Sequence, residues 1–191
     1  MKADLVKSKL KSIETYLNTA LLLLLCTAGI AVAQQNTEDK YIASPGQFYL
    51  AETYKDWQKL CLAKEQGKHP CHMYQLIKDE NGHPTAEFVI VKLNEEEGVS
   101  AAATILTPLE TLLPSGLSYS IDDEAPVEYP FSWCDKRGCY VRIAFTDDDV
   151  YSMKKGNKGL FLIESISAPG KKIELTVSFS GFTAALGSLD E

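Results

Sequence analysis

The sequence predicts an all-β chain, an antiparallel β-sandwich with one or two short helices. Three observations carry that expectation. Apolar residues alternate with polar or small ones in three runs: Leu117, Tyr119 and Ile121; Cys139, Val141, Ile143 and Phe145; and Ile173, Leu175, Val177 and Phe179. Period-two alternation describes a strand with one buried and one wet face. Turn signals built on Gly, Pro, Asn and Asp recur at short intervals, and no long amphipathic helix, internal repeat or low-complexity tract interrupts them.

The chain has 191 residues, enough for one domain plus targeting material, and its 45% hydrophobic content suits a packed core. Residues 1–33 read as a secretory signal peptide. Lys2, Lys7, Lys9 and Lys11 outnumber Asp4 and Glu14, an apolar run centred on leucines 21–25 follows, and Ala31-Val32-Ala33 closes it. That run is short for a membrane span, which takes about 18 apolar residues. Cleavage after Ala33 would remove four lysines and two acids and take the formal charge from -7 to -9. So acidic a chain is a poor non-specific binder of nucleic acid.

Residues 34–47 are polar and aperiodic and read as a flexible N-terminal arm. The folded domain is expected from 48 to 191, with Trp57 and Leu60 as its first buried anchors. A hairpin is predicted over residues 72–93, turning at Asp79-Glu80-Asn81-Gly82, because Asn-Gly tolerates positive φ. Glu95-Glu96-Glu97-Gly98 turns into the next strand, 99–106. Pro114-Ser115-Gly116 is a further turn. Residues 160–166 are continuously apolar and suit a central strand, with Pro169-Gly170 turning into the last one. Asp147 is placed as the cap of a short helix reaching Lys155, with acids first, lysines last and Gly156 as its stop. A second helical turn is expected over 181–189. Some eight short strands result.

Cysteine usage ties the fold to a compartment. Cys26 leaves with the signal peptide, and Cys61, Cys71, Cys134 and Cys139 remain. An even count in an exported chain argues for two disulfides. Cys61–Cys71 and Cys134–Cys139 is the favoured pairing, because a hairpin brings Cys134 and Cys139 together; crossed pairings that link the two halves stay open. Each local loop would contribute roughly 2–3 kcal/mol by chain entropy.

The ordered set Asp56-Trp57, Cys61, Cys71 with Gln75, Leu113-Pro-Ser-Gly-Leu117, Ile121-Asp122, Cys134 with Gly138-Cys139, and Gly181-Phe182-Thr183-Ala184-Ala185-Leu186 resembles the invasion-associated locus B family of exported alphaproteobacterial proteins. The resemblance covers residues 48–189. It implies an Ig-like sandwich with local disulfides in the periplasm or envelope and, for the founding members, a part in host-cell entry. It brings no catalytic residues. Tyr140, directly after the last cysteine, departs from the family's usual smaller residue.

Other chemistry finds little footing. His69, Cys71, His72 and His83 cluster in sequence, but C-x9-C and C-x4-C are not zinc-knuckle spacings, and Cys71 and His72 point to opposite faces of a strand. A thiol redox centre would want C-x-x-C at a helix start. No G-x-S-x-G is present. Asp147-Asp148-Asp149 reads as a helix cap and Asp122-Asp123-Glu124 as a solvated turn. Trp57 and Trp133, each just before a cysteine, read as core residues packed near the disulfides, with ligand binding as the alternative for either. The expectation is therefore a non-enzymatic protein with no cofactor, metal or nucleic-acid partner. It would bind a protein or glycan of the envelope or host surface, and sit in the periplasm or cell envelope, at the outer membrane or outside, with no mature transmembrane helix. The competing expectation is a structural or stress-related periplasmic protein with no host partner.

Overall fold

The computed structural model describes residues 43–79, 82–96 and 98–190. The segments read as a signal peptide, 1–33, and most of that read as an N-terminal arm, 34–47, lie outside the described residues. Among the described residues eleven antiparallel strands form two sheets. Strands β1 (Phe48–Tyr54), β2 (Trp57–Leu62), β3 (Cys71–Lys78), β4 (Pro84–Glu96), β5 (Val99–Thr107), β8 (Trp133–Cys134) and β9 (Cys139–Thr146) make a seven-stranded sheet in the order β1-β2-β3-β4-β5-β9-β8. Strands β6 (Leu117–Ile121), β7 (Val127–Tyr129), β10 (Lys158–Ser165) and β11 (Ala168–Ser178) make a four-stranded sheet in the order β11-β10-β6-β7. Helix α1 (Asp147–Lys155) follows β9 and helix α2 (Phe182–Gly187) follows β11.

Alternation decides what is buried. Val141, Ile143 and Phe145 from β9, Phe88 and Ile90 from β4, Leu117 and Tyr119 from β6, and Leu175 and Val177 from β11 fill the space between the sheets. Rings interlock there: Phe161 meets Phe88 at 5.1 Å and Tyr119 at 4.7 Å. β10 is central in its sheet, as its apolar run suggests.

Several expectations are corrected. Among the described residues eleven strands occur rather than about eight: β1 and β2, whose sequences lack clean apolar–polar alternation, and the three-residue β7 are the additional ones. The hairpin that brings Cys134 to Cys139 has a first strand of only two residues: the chain leaves the smaller sheet after Tyr129 and joins the larger at Trp133. The last turn is not Pro169-Gly170. The chain reverses at Ile166-Ser167, and Pro169-Gly170 forms a bulge in edge strand β11, where Pro costs no ladder bond. There Gly170, at φ 83°, donates its N–H to Glu164 Oε2 at 2.7 Å. The N-cap of α1 is Thr146, one residue ahead of Asp147, in a reciprocal capping box with Asp149. Asp122 is more than a solvated turn residue: its carboxylate accepts the backbone N–H groups of Asn157 and Lys158 at 3.0–3.1 Å and so holds the start of β10. Leu60 is only half-buried, since it faces outward on β2.

The sheets are latched at one backbone unit. Gln75 accepts from the N–H of Ser178 at 2.8 Å and donates to its carbonyl at 3.0 Å. Trp57 Nε1 donates to the same carbonyl at 2.9 Å, and Ser178 Oγ donates to Asp56 at 2.6 Å. Three residues on, Gly181 sits at φ 91°, and a Cβ there would lie 2.0 Å from the Tyr54 carbonyl oxygen. The hairpin turn of β1 and β2 is thus packed on the start of α2.

Candidate functional site at the stapled β8–β9 end

Each disulfide joins two residues that face one another across a strand pair. Cys61 pairs with Cys71 between β2 and β3, with Cα atoms 4.1 Å apart; Cys134 pairs with Cys139 between β8 and β9, at 4.0 Å. The favoured local pairing is the one present.

The β8–β9 staple carries an organised surface. Asp135 turns the chain: its side chain accepts the Arg137 N–H at 2.8 Å, and its N–H donates to the Gly138 carbonyl at 2.9 Å. Gly138 must be Gly, since a Cβ there would lie 2.2 Å from the Thr107 carbonyl oxygen. This close approach seats the connection on the end of β5. Tyr140 donates its hydroxyl to the Asp135 carboxylate at 3.1 Å. The Arg137 N–H, helped by Tyr140, holds the Asp135 carboxyl below its ordinary value, while partial desolvation and then Asp135 push the Tyr140 phenol up.

Trp133 pairs with Tyr140 across β8–β9, and the rings stack at 4.7 Å with 13° between planes. The Arg142 guanidinium lies 5.9 Å from the Trp133 ring centroid. The expected core role of Trp133 is corrected. It is 45% exposed, because Tyr140 and Arg142 alternate with inward Cys139 and Val141 and so face out. Trp57 does belong to the core, between Phe88 and Phe182. Beside the stack, Leu113, Pro114, Pro130, Phe131 and Trp133 line an apolar cleft of about 340 Å³. Nothing in the composition singled out this surface. The signal available was the cross-strand register, which puts 133 opposite 140.

The histidines are dispersed. His69 shares a 2.8 Å hydrogen bond with Tyr49, His72 meets Phe48 edge-on at 5.1 Å, and His83 bonds Asp79. Cys61 and Cys71 are committed to each other. Among the described residues no cluster of three or more His, Cys, Asp or Glu is placed to hold a metal ion. Among them, too, no helix is long and apolar enough to cross a membrane.

The model of the family described as "Invasion associated locus B (IalB) protein" matches residues 57–190. The chain belongs to the invasion-associated locus B family. Two curated relatives, both invasion protein B homologs of Brucella abortus (strain 2308 and biovar 1 strain 9-941), are each 28% identical over 142 residues, which is 74% of this chain and 79% of theirs. The crystal structure of invasion associated protein b from Bartonella henselae superposes with a TM-score of 0.63 at 26% identity, over 74% of this chain and 95% of that one. The resemblance read from Asp56-Trp57 through Leu186 is therefore one of membership. The motif residues concentrate where this invasion-associated locus B chain is held together: Asp56, Trp57 and Gln75 make the Ser178 latch, Gly181 lies under Tyr54, and Gly138 lies under Thr107.

Proposed function

We propose that this member of the invasion-associated locus B family is an exported envelope protein that works by binding rather than catalysis. Its partner is a protein or glycan of the envelope or host surface, met at the stapled β8–β9 end. The observation that carries the reading is the exposed Trp133–Tyr140 stack with Arg142, held by a disulfide, an Asp135 turn and a glycine that admits no side chain. Trp, Tyr and Arg are the residue types that dominate binding hot spots, and a fixed aromatic pair loses little entropy on contact. The names of the relatives, which refer to invasion, agree with a surface role. The competing reading, a periplasmic structural factor, finds no comparable feature in its favour.

Two measurements on cells producing the full chain test this. Fractionation should recover the protein from the envelope or medium with intramolecular Cys61–Cys71 and Cys134–Cys139 links on a non-reducing peptide map. The purified, labelled protein should bind isolated envelopes or intact animal cells saturably. A protein confined to the soluble periplasm removes the host-surface version. Linear, non-saturable uptake by both preparations removes the binding reading.

A further inference from the structure

We propose that two copies of this chain associate face to face through the outer surface of the seven-stranded sheet. One row of that face ends on Tyr140 and Trp133, so the dimer would cover part of the stack proposed to meet the partner, and the test below reads the row that does not touch it. An antiparallel sheet facing water reads polar on its outer face. Here the outward rows, followed through the register, are Val91–Ala102–Ala144, Gln58–Tyr74–Val89–Thr104–Arg142 and Leu76–Glu87–Leu106–Tyr140–Trp133. Only Glu87 and Arg142 in these rows are charged. The smaller sheet behaves as expected: on its outside Leu160 and Leu162 lie between Thr176 and Ser120, and between Glu174 and Ser118.

The sequence of β4 points the same way. Phe88-Val89-Ile90-Val91 is an unbroken apolar run, the pattern of a strand covered on both faces. Phe88 and Ile90 are fully buried against the smaller sheet, whereas Val91 stands 37% exposed. The small side chains Ala102, Thr104 and Ala144 leave a shallow trough of about 330 Å³ beside Val89 and Val91.

Size and charge favour a second copy as the occupant. Strands about 4.8 Å apart and outward rows about 7 Å apart give this sheet a face of roughly 30 by 20 Å, or about 600 Å² before side-chain relief. A modest specific interface takes about 600–800 Å² from each partner. The chain carries a formal charge of -7, so copies meeting through acidic surface repel one another. In these rows Glu87 is neutralised by Arg137 at 3.0 Å and Arg142 is left over, so the face carries none of the acidic excess. Sheet-on-sheet packing of two such faces is the arrangement the sandwich already uses internally.

Sedimentation equilibrium of the full chain recovered from exporting cells tests this over a micromolar-to-millimolar series. The mass should rise from monomer to dimer. Val91→Lys and Ala144→Lys, both on the first row, should each weaken the dimer by about tenfold or more with an unchanged near-ultraviolet circular dichroism spectrum. Leu160→Lys, on the outside of the smaller sheet, should leave it unaltered. A wild-type chain that stays monomeric throughout overturns the proposal without recourse to any variant. So does a dimer that folded Val91→Lys or Ala144→Lys leaves intact, or one that Leu160→Lys weakens equally.

Discussion

Gly181 and Gln75 bear on stability far out of proportion to their size. A Cβ at Gly181 would require both a left-handed backbone and a position 2.0 Å from Tyr54 O. Gly181→Ala should therefore cost about 3 kcal/mol or more in urea unfolding. Gln75→Ala strips the Ser178 N–H of its buried partner and should cost about 2 kcal/mol. Asp135 gives a pH signature of known sign. Its folded value lies below the ordinary 3.8, so its contribution is complete above that value and is lost as the pH falls through the depressed one. An acid titration followed by the ring resonances of Trp133 should show the stack loosening on the acid side, and Asp135→Asn should abolish that step. The same residues show how far the sequence could be read. Asp56, Trp57, Gln75 and Gly181 were visible as an ordered set. Their common purpose was not, because Trp57 and Gln75 meet the backbone of Ser178, 103 positions from Gln75, Asp56 meets its hydroxyl and Gly181 the carbonyl of Tyr54, and a peptide group has no signature in sequence.

Among the elements, α1 and the two staples make separable contributions. Thr146→Ala breaks the capping box and should cost about 1 kcal/mol in thermal or urea unfolding, whereas Thr146→Ser should be near neutral. Cys61–Cys71 ties two strands inside the larger sheet; Cys134–Cys139 ties a two-residue edge strand. Paired serine substitution at 61 and 71 should lower global stability by about 2–3 kcal/mol. The same change at 134 and 139 should free β8 locally, erasing the Trp133–Tyr140 signal in near-ultraviolet circular dichroism while global unfolding moves by less than about 1 kcal/mol. The alternating strands and α1 were legible because their faces differ. β1, β2, β7 and the Gly170 bulge were not: β1 and β2 lack clean apolar–polar alternation, a segment of three residues has no periodicity, and a bulge reads locally as a turn.

At the scale of the whole molecule, Asp56, Trp57, Gln75, Gly138 and Gly181 help close the sandwich, and the features open to a partner lie on its outside. This explains why fold and disulfides could be read from the sequence while the binding surface could not. Burial leaves a pattern in the chain, but the exposure of Trp133 follows from which strand happens to pair with β9. In the proposed function this exposed end does the binding. Saturation binding of labelled wild-type and Trp133→Ala protein to isolated envelopes and intact animal cells tests it most directly, with Val127→Ala, an exposed residue on the smaller sheet, as control. Trp133→Ala should fold normally and weaken binding by about tenfold or more, with Val127→Ala unchanged. Equal binding by wild-type and Trp133→Ala protein would rule out the Trp133 end as the binding surface.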